Sequence, residues 1–206
     1  MKVLVLGATG KTGSLVVDRV WAEGHEVSVL VRDSRKLKHM RSNLITGDAT
    51  NASDVLRAVA GHDAVIDTIG GTTPWKATAL EQTAARNVVA AMQAKDARRL
   101  IVVTMMGLGD SRAQAPFWYR NLLMKTFLRG STPDKAAVEA AVFASGLDFV
   151  LVRPPILTET ASMGGAKVIG PGVTGHKIAR VDLANFLVEQ LTSDEYVGQA
   201  VTVVNS

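Results

Sequence analysis

Three glycines recur at every third position in Gly7-Ala8-Thr9-Gly10-Lys11-Thr12-Gly13, directly after the apolar run Val3-Leu4-Val5-Leu6. Between a strand and a helix, glycines so spaced provide a tight turn, close approach of backbone N–H groups to a diphosphate, and close helix–strand packing. The positive end of the helix dipole adds to the attraction for phosphate. Standing alone, such a loop also reads, less readily, as simple turn chemistry; a hydrophobic strand before it and an amphipathic stretch after it favour dinucleotide binding. Gly7, Thr9, Gly10, Lys11, Thr12 and Gly13 are the expected cradle.

The next apolar run ends Val29-Leu30-Val31-Arg32-Asp33. Arg32 stands where an NAD-type domain carries the acid that grips the ribose hydroxyls. A carboxylate there repels a 2′-phosphate, whereas a guanidinium chelates it and stacks on adenine, so NADP(H) is expected over NAD(H). Arg35 and Lys36 are near enough to add to it; Asp33 is the alternative, a ribose ligand beside a solvated Arg32. Two further turns fit the same crevice: Gly47-Asp48-Ala49, with Asp48 against the adenine amino group, and Ile69-Gly70-Gly71, with backbone clearance beside the cofactor. Both also serve as ordinary turns.

These residues need a parallel sheet to bring them together, and the pattern supplies one. Short β-branched runs at 3–6, 26–31, 43–46, 64–68, 100–104, 149–152 and 200–204 alternate with helical periodicity at 12–23, 53–60, 79–94, 133–144 and 180–191. That alternation predicts an α/β fold: a Rossmann-type doubly wound parallel sheet in three αβα layers, as a single domain over residues 1–206. The irregular stretches 107–116 and 154–175 are expected to cover a substrate. The chain has 206 residues, 47% hydrophobic and 20% charged, with no cysteine, four dispersed histidines and a net charge of +4 from scattered basic residues. Disulfides, thiolate chemistry, a metal centre and a nucleic-acid footprint are not expected. With no long apolar run, the expectation is a soluble, cytoplasmic chain without a membrane partner.

The chain resembles the atypical short-chain dehydrogenase/reductases with an NmrA-like, NAD(P)-binding fold. The resemblance rests on the Gly7–Gly13 loop, Val31-Arg32-Asp33, Gly47-Asp48, Ala64-Val65-Ile66, Gly146-Leu147-Asp148 and Val152-Arg153-Pro154-Pro155. Within that family it is most similar to the biliverdin-IXβ reductase/flavin reductase group, in Leu30-Val31-Arg32-Asp33-Ser34, in the run from Ala85 to Met92 and in Thr192-Ser193-Asp194-Glu195-Tyr196. The resemblance implies NADPH binding and reduction of flavins or linear tetrapyrroles, with Thr104, Pro154 and Ile156 at strand ends completing the cofactor contacts. The group's serine after the fifth-strand Thr and histidine after the double proline are absent: Met105 and Ile156 stand there.

The superfamily's usual acid, a Tyr four residues before a Lys, is also missing. Lys135 resembles that Lys, but Ser131 occupies the Tyr position, and neither Tyr119 nor Tyr196 has a Lys four residues on. A ketone needs an acid or oxyanion donor in its transition state, so alcohol dehydrogenase or epimerase chemistry is disfavoured. A conjugated ring spreads the incoming charge and takes its proton from solvent. The expected function is therefore NADPH-dependent hydride transfer to a planar acceptor, a flavin first, with biliverdin or a quinone as variants. Thr104 and Lys135 are the candidate catalytic groups, although Lys135 reads more readily as a surface lysine. Trp75, Met105, Met106 and Trp118 are the candidate substrate wall. The adjacent Phe117, Trp118 and Tyr119 could stack on a planar acceptor, but Phe117-Trp118 with Leu122-Leu123-Phe127 fits the buried face of a helix at least as well, and His176 reads as a loop histidine. The rival expectation is a non-catalytic NADP(H)-binding redox sensor that engages a partner protein.

Overall fold

Strands form where the β-branched runs fall. The computed structural model describes residues 1–33, 35, 41–71 and 73–205. Its strands are β1 (Lys2–Leu6), β2 (Glu26–Val31), β3 (Asn43–Thr46), β4 (Ala64–Asp67), β5 (Arg99–Val103), β6 (Asp148–Arg153), β7 (Ile156–Thr158), β8 (Lys167–Ile169), β9 (Lys177–Ala179) and β10 (Gln199–Val204). Its helices are α1 (Lys11–Ala22), α2 (Ala52–Val59), α3 (Leu80–Lys95), α4 (Ser131–Phe143) and α5 (Arg180–Glu189).

Eight strands make one sheet in the order β3-β2-β1-β4-β5-β6-β10-β8, parallel except for the β10–β8 pair. Successive strand residues point to opposite faces, so each strand feeds two cores. Val3, Val5, Val27 and Val29 pack with α1 and α5, while Leu4, Leu6, Leu30 and Leu100 pack with α2, α3 and α4. This is the expected three-layer αβα arrangement. The strand order reverses between β1 and β4, whose parallel register pairs Leu6 with Asp67. A crevice must open there, outside the carboxyl ends of the strands.

The 154–175 stretch is more regular than expected. It contains β7, which pairs with β9 in a separate two-stranded sheet, and β8, which closes the main sheet edge. Three-residue strands amid Gly, Pro and Ser lie below what period-two reading detects. The stretch is pinned to α5 by Asp182, which accepts from Ser162 Oγ (2.5 Å), the Met163 amide (2.8 Å) and Asn205 Nδ2 (2.7 Å). Likewise 107–116 contains a 3-10 helix, Gly109–Gln114. Among the described residues no helix is long and apolar enough to cross a membrane.

Helix α1 begins at Gly10, whose amide donates to the Gly7 carbonyl at 2.9 Å. A Cβ on Gly13 would stand 2.2 Å from that same carbonyl oxygen, and one on Gly7 2.7 Å from Thr68 backbone and side chain. Gly13→Ala is therefore expected to destabilise the protein by about 1–3 kcal/mol through forced overpacking, measured as a lowered urea midpoint with unchanged slope.

Candidate functional site

Two cavities meet at the β1/β4 switch point. The smaller, about 300 Å³, is lined by Gly7, Thr9, Gly10, Arg32, Asp33, Asp48, Ala49, Ile69 and Gly70, among others. The larger, about 590 Å³, lies across the Gly-rich loop and takes in Lys11, Thr12, Gly13, Thr104, Met105, Lys135, Pro154 and Ile156. Gly10, Thr68, Ile69 and Gly70 line both, so one cleft runs over the loop. The cofactor positions expected from sequence fall on this cleft, except Arg35, which lines neither cavity, and Lys36, which lies outside the described residues. Helix α1 carries no side-chain cap and no acid in its first turn. Its leading amides thus face the cleft without a competing carboxylate, the arrangement that receives a phosphate.

Within the smaller cavity, Asp48 accepts from the Thr50 amide and hydroxyl, both at 2.8 Å. These bonds hold its carboxyl below the usual range, so it stands ionised beside Arg32. Arg35 turns the other way: its Nε and Nη2 bind the Asp33 carboxylate at 2.9 and 3.0 Å. The expectation that Arg35 joins Arg32 on a phosphate is corrected by that pairing. That pairing partly neutralises Asp33, while Arg32 lies on the rim of the cavity close enough to Asp48 for its charge to act on that carboxylate.

Arg180, at the start of α5, was not foreseen. Its Nη1 donates to Thr12 Oγ1 at 2.9 Å, and it lines the larger cavity beside Gly10–Gly13. Its Nε is buried with no hydrogen-bond partner. A guanidinium lining the cavity beside the Gly-rich loop supplies the charge that suits a diphosphate. Lys11 points outward instead, in an exposed ion pair with Glu159 that ties the loop to the segment after β7.

Two buried polar networks support the larger cavity. In the first, Asp134 of α4 accepts from the Glu81 and Gln82 amides (3.1 and 2.9 Å), capping α3 from outside, since Ala79 sits in the left-handed region and caps nothing. The adjacent Lys135 pairs with Glu81 Oε2 at 2.6 Å and donates to the Val103 carbonyl at 3.4 Å. Its side chain is only 13% exposed, so the surface-lysine reading is corrected: the packing of α4 on α3 turns it into the cavity wall. Asp67, buried at the end of β4, accepts from the Ile69 amide at 2.8 Å. Desolvation pushes its carboxyl up to about 6, with the bond from Ile69 and the charge of Lys135 opposing and Glu81 adding to the rise.

In the second network Arg153 holds both oxygens of Glu139 (2.9 and 2.8 Å) and Asp110 (2.5 Å), and Thr104 Oγ1 donates to Glu139 Oε1 at 2.8 Å. The Thr104 proton is thus committed to a buried carboxylate.

The expected substrate wall is largely corrected. Met105 lines the larger cavity, but Met106 is wholly buried in a cluster with Leu108 and Met124. Neither Trp75 nor Trp118 lines the cavity; both are exposed, and Trp75 packs against Phe127 with ring centroids 5.7 Å apart and planes inclined at 46°. The buried-face reading of Phe117 and Trp118 fails as well. A π-helical turn, Tyr119–Leu123, rotates the segment so that Tyr119, Leu123, Phe127 and Leu128 line the cavity instead. Burial pushes the Tyr119 phenol up to about 12, so it remains protonated over any working pH. His176 is exposed and off the cleft.

A switch-point cleft over an uncapped, glycine-opened helix defines a Rossmann-type nucleotide-binding protein. Residues 7–194 match the NAD(P)H-binding family, and the chain belongs to it. It is 28% identical to the chloroplastic protein At2g34460 of Arabidopsis thaliana over 218 residues, covering 98% of this chain and 76% of that protein. It is 25% identical to the Photosystem II assembly factor Ycf39 of Guillardia theta, covering 99% of this chain but only 65% of that protein. Among solved structures, the anaerobilin reductase ChuY of Escherichia coli O157:H7 superposes with a TM-score of 0.82 at 25% identity, over 100% of this chain and 97% of ChuY. A short-chain dehydrogenase/reductase of Veillonella parvula in complex with NADP shares the fold, with a TM-score of 0.79 at 16% identity, over 98% of this chain and 94% of that one.

Asp67 makes a test of the buried network. Its folded-state value near 6 lies above the ordinary ~3.9, so between these the folded protein binds more protons and stability falls as pH rises, with the loss complete above pH 6. Asp67→Asn keeps an acceptor for Ile69 and is expected to gain on the order of 2 kcal/mol over wild type at pH 7–8, with the gain vanishing near pH 4, in urea melts across that range.

Proposed function

We propose that this protein is an NADPH-dependent reductase that passes hydride to a planar conjugated acceptor. The observation that carries the reading is the single cleft in which an Arg32-rimmed cavity joins a larger, mostly apolar one across the Gly10 loop. Arg32 would hold the 2′-phosphate, Asp48 and Ala49 the adenine side, and the α1 amides with Arg180 the diphosphate. When bound, the cofactor supplies a hydride from its nicotinamide ring.

The chain's own residues then position and desolvate. Met105, Tyr119, Leu123 and Phe127 present an apolar wall that fits a flat ring, excluding water and favouring ring-on-ring contact. Lys135, fixed by Glu81, places a cation in that wall where charge builds on the acceptor. The protonated Tyr119 hydroxyl offers a neutral hydrogen-bond donor. The resemblance to flavin reductases supports a flavin as acceptor, and the likeness to ChuY supports a linear tetrapyrrole. Of the two irregular stretches, 154–175 reaches the larger cavity through Pro154, Pro155, Ile156 and Leu157, whereas 107–116 lines neither cavity; the reading is of one domain spanning 1–206 and of a cytoplasmic enzyme.

A second reading, a non-catalytic NADP(H)-binding sensor that reports to a partner protein, is favoured by the likeness to Ycf39, named for assembly rather than for turnover. NADPH oxidation is expected with at least one of FMN, FAD, biliverdin and dichlorophenolindophenol. No turnover with any of them, together with unequal affinities for NADP⁺ and NADPH, leaves the sensor. Equal affinities remove it, since only differential binding shifts an equilibrium.

Calorimetric titration separates the two arginines. Arg32→Asp is expected to weaken NADPH binding by about 1.5–3 kcal/mol while sparing NADH, because only the former carries the extra phosphate. Arg180→Ala is expected to weaken both about tenfold to a hundredfold, because the diphosphate is common to them.

A further inference from the structure

The segment that walls the larger cavity has a second face. Its inner side chains, Tyr119, Leu123, Met124 and Leu128, are buried or partly so, while Phe117 is 74%, Leu122 62% and Trp118 46% exposed. Phe127 is also exposed and carries Trp75 from the neighbouring loop, which is tied in where the Gly130 and Ser131 amides both donate to the Pro74 carbonyl at 2.9 Å. Within the patch Arg120 lies 5.9 Å from the Phe117 ring and Trp118 packs edge-on against Tyr119, yet both rings stay open to solvent; the other exposed aromatic residues, Trp21 beneath Arg41 and Phe143 edge-on to Phe149, lie on other elements. Five large apolar side chains gathered on one segment and its adjoining loop are more than scattered surface exposure.

Charge decides what covers them. From Phe117 to Gly130 the segment holds Arg120, Lys125 and Arg129 and no acid, and Lys76 stands in the adjoining loop. Among the described residues none of these four cations is in an ion pair. A second copy meeting the patch through a two-fold axis would set the same cations against one another, which disfavours a self-contact. Exposed Trp, Phe and Leu flanked by Lys and Arg that, among the described residues, no carboxylate neutralises are the composition that enters the headgroup layer of an anionic bilayer.

We propose that this face, centred on Phe117, Trp118 and Leu122, adsorbs the protein to anionic lipid surfaces. The apolar side chains insert to the acyl boundary while Arg120, Lys125, Arg129 and Lys76 meet lipid phosphates. Because the inner face of the same segment lines the larger cavity, adsorption sets that cavity about one helix diameter, roughly 10 Å, from the bilayer surface. The inference stands on surface chemistry alone and does not require the reductase reading.

The test is sedimentation of the full chain with vesicles of phosphatidylcholine alone or mixed with phosphatidylglycerol, at low and high salt. Binding is expected to be at least tenfold stronger to the mixed vesicles, to weaken with salt, and to shift tryptophan emission to shorter wavelength as Trp75 and Trp118 leave water. The triple substitution Phe117→Ser, Trp118→Ser, Leu122→Ser removes the exposed rings and side chain at the cost of one edge-on contact, Trp118 to Tyr119, and Phe117→Ser with Leu122→Ser alone spares that contact. The triple variant is expected to keep the wild-type melting temperature and lose at least tenfold in vesicle binding, and Arg120→Glu with Lys125→Glu should erase the preference for phosphatidylglycerol. Failure of the wild type to bind the mixed vesicles, equal binding to both vesicle types, or a folded triple variant that binds as wild type does, overturns the proposal. So does a wild-type dimer that the triple variant converts to monomer without any vesicle binding, which would make the face a protein interface.

Discussion

The cleft exists because α1 starts almost in contact with the loop that precedes it. Two missing β-carbons, at Gly7 and Gly13, let the helix approach the β1 end so closely that the space any side chain would need is already taken by the Gly7 carbonyl and Thr68. Thr68 is itself fixed by its hydroxyl bond to the Leu6 carbonyl at 2.7 Å, which joins the ends of β1 and β4. With these contacts the helix amides aim into the switch-point crevice, and everything else at the site is arranged around that axis. Larger residues would move α1 outward and separate its dipole from the crevice.

Around this axis the protein places buried ions where a stable core alone would not need them. Asp134 and Lys135 are neighbours on α4, and each grips the start of α3, one by its amides and one by Glu81. Arg153 does the same for β6 and the 107–116 stretch through Glu139 and Asp110. Buried pairs of this kind contribute little net stability over apolar substitutes, because desolvation offsets most of the Coulomb gain. What they supply is geometry: Lys135 and Thr104 each reach the cavity wall held in one position. The elevated Asp67 follows from burial at the end of β4: desolvation raises its carboxyl more than the Ile69 amide and the charge of Lys135 lower it, and Glu81 adds a smaller rise.

Much of the fold was legible along the chain. The main strands and all five helices fall within a residue or two of where β-branched runs and helical periodicity put them, because those patterns report burial on one or two faces of a local element. The Gly-rich loop, Arg32 and Asp48 were legible for the same reason: each sits at a strand end whose position the pattern gives. The three-residue strands β7, β8 and β9 were not, since they owe their conformation to pairing with distant segments. The aromatic cluster was misjudged twice, as substrate wall and as buried face, because a π-helical turn changes which side chains point inward and period-3.6 reading carries no sign of it.

By itself, then, the amino-acid order determined the sheet-and-helix alternation and the phosphate loop with its neighbouring guanidinium, because backbone preference and face burial act over a few residues. Only the tertiary structure decided that Lys135 is a cavity residue, that Arg180 reaches Thr12 across 168 positions, and that Tyr119 rather than Trp118 lines the larger cavity. Those placements come from helix–helix packing and from long-range pairing of charges. The partner of a buried ion is chosen by what lies nearest in space, which no local spacing encodes.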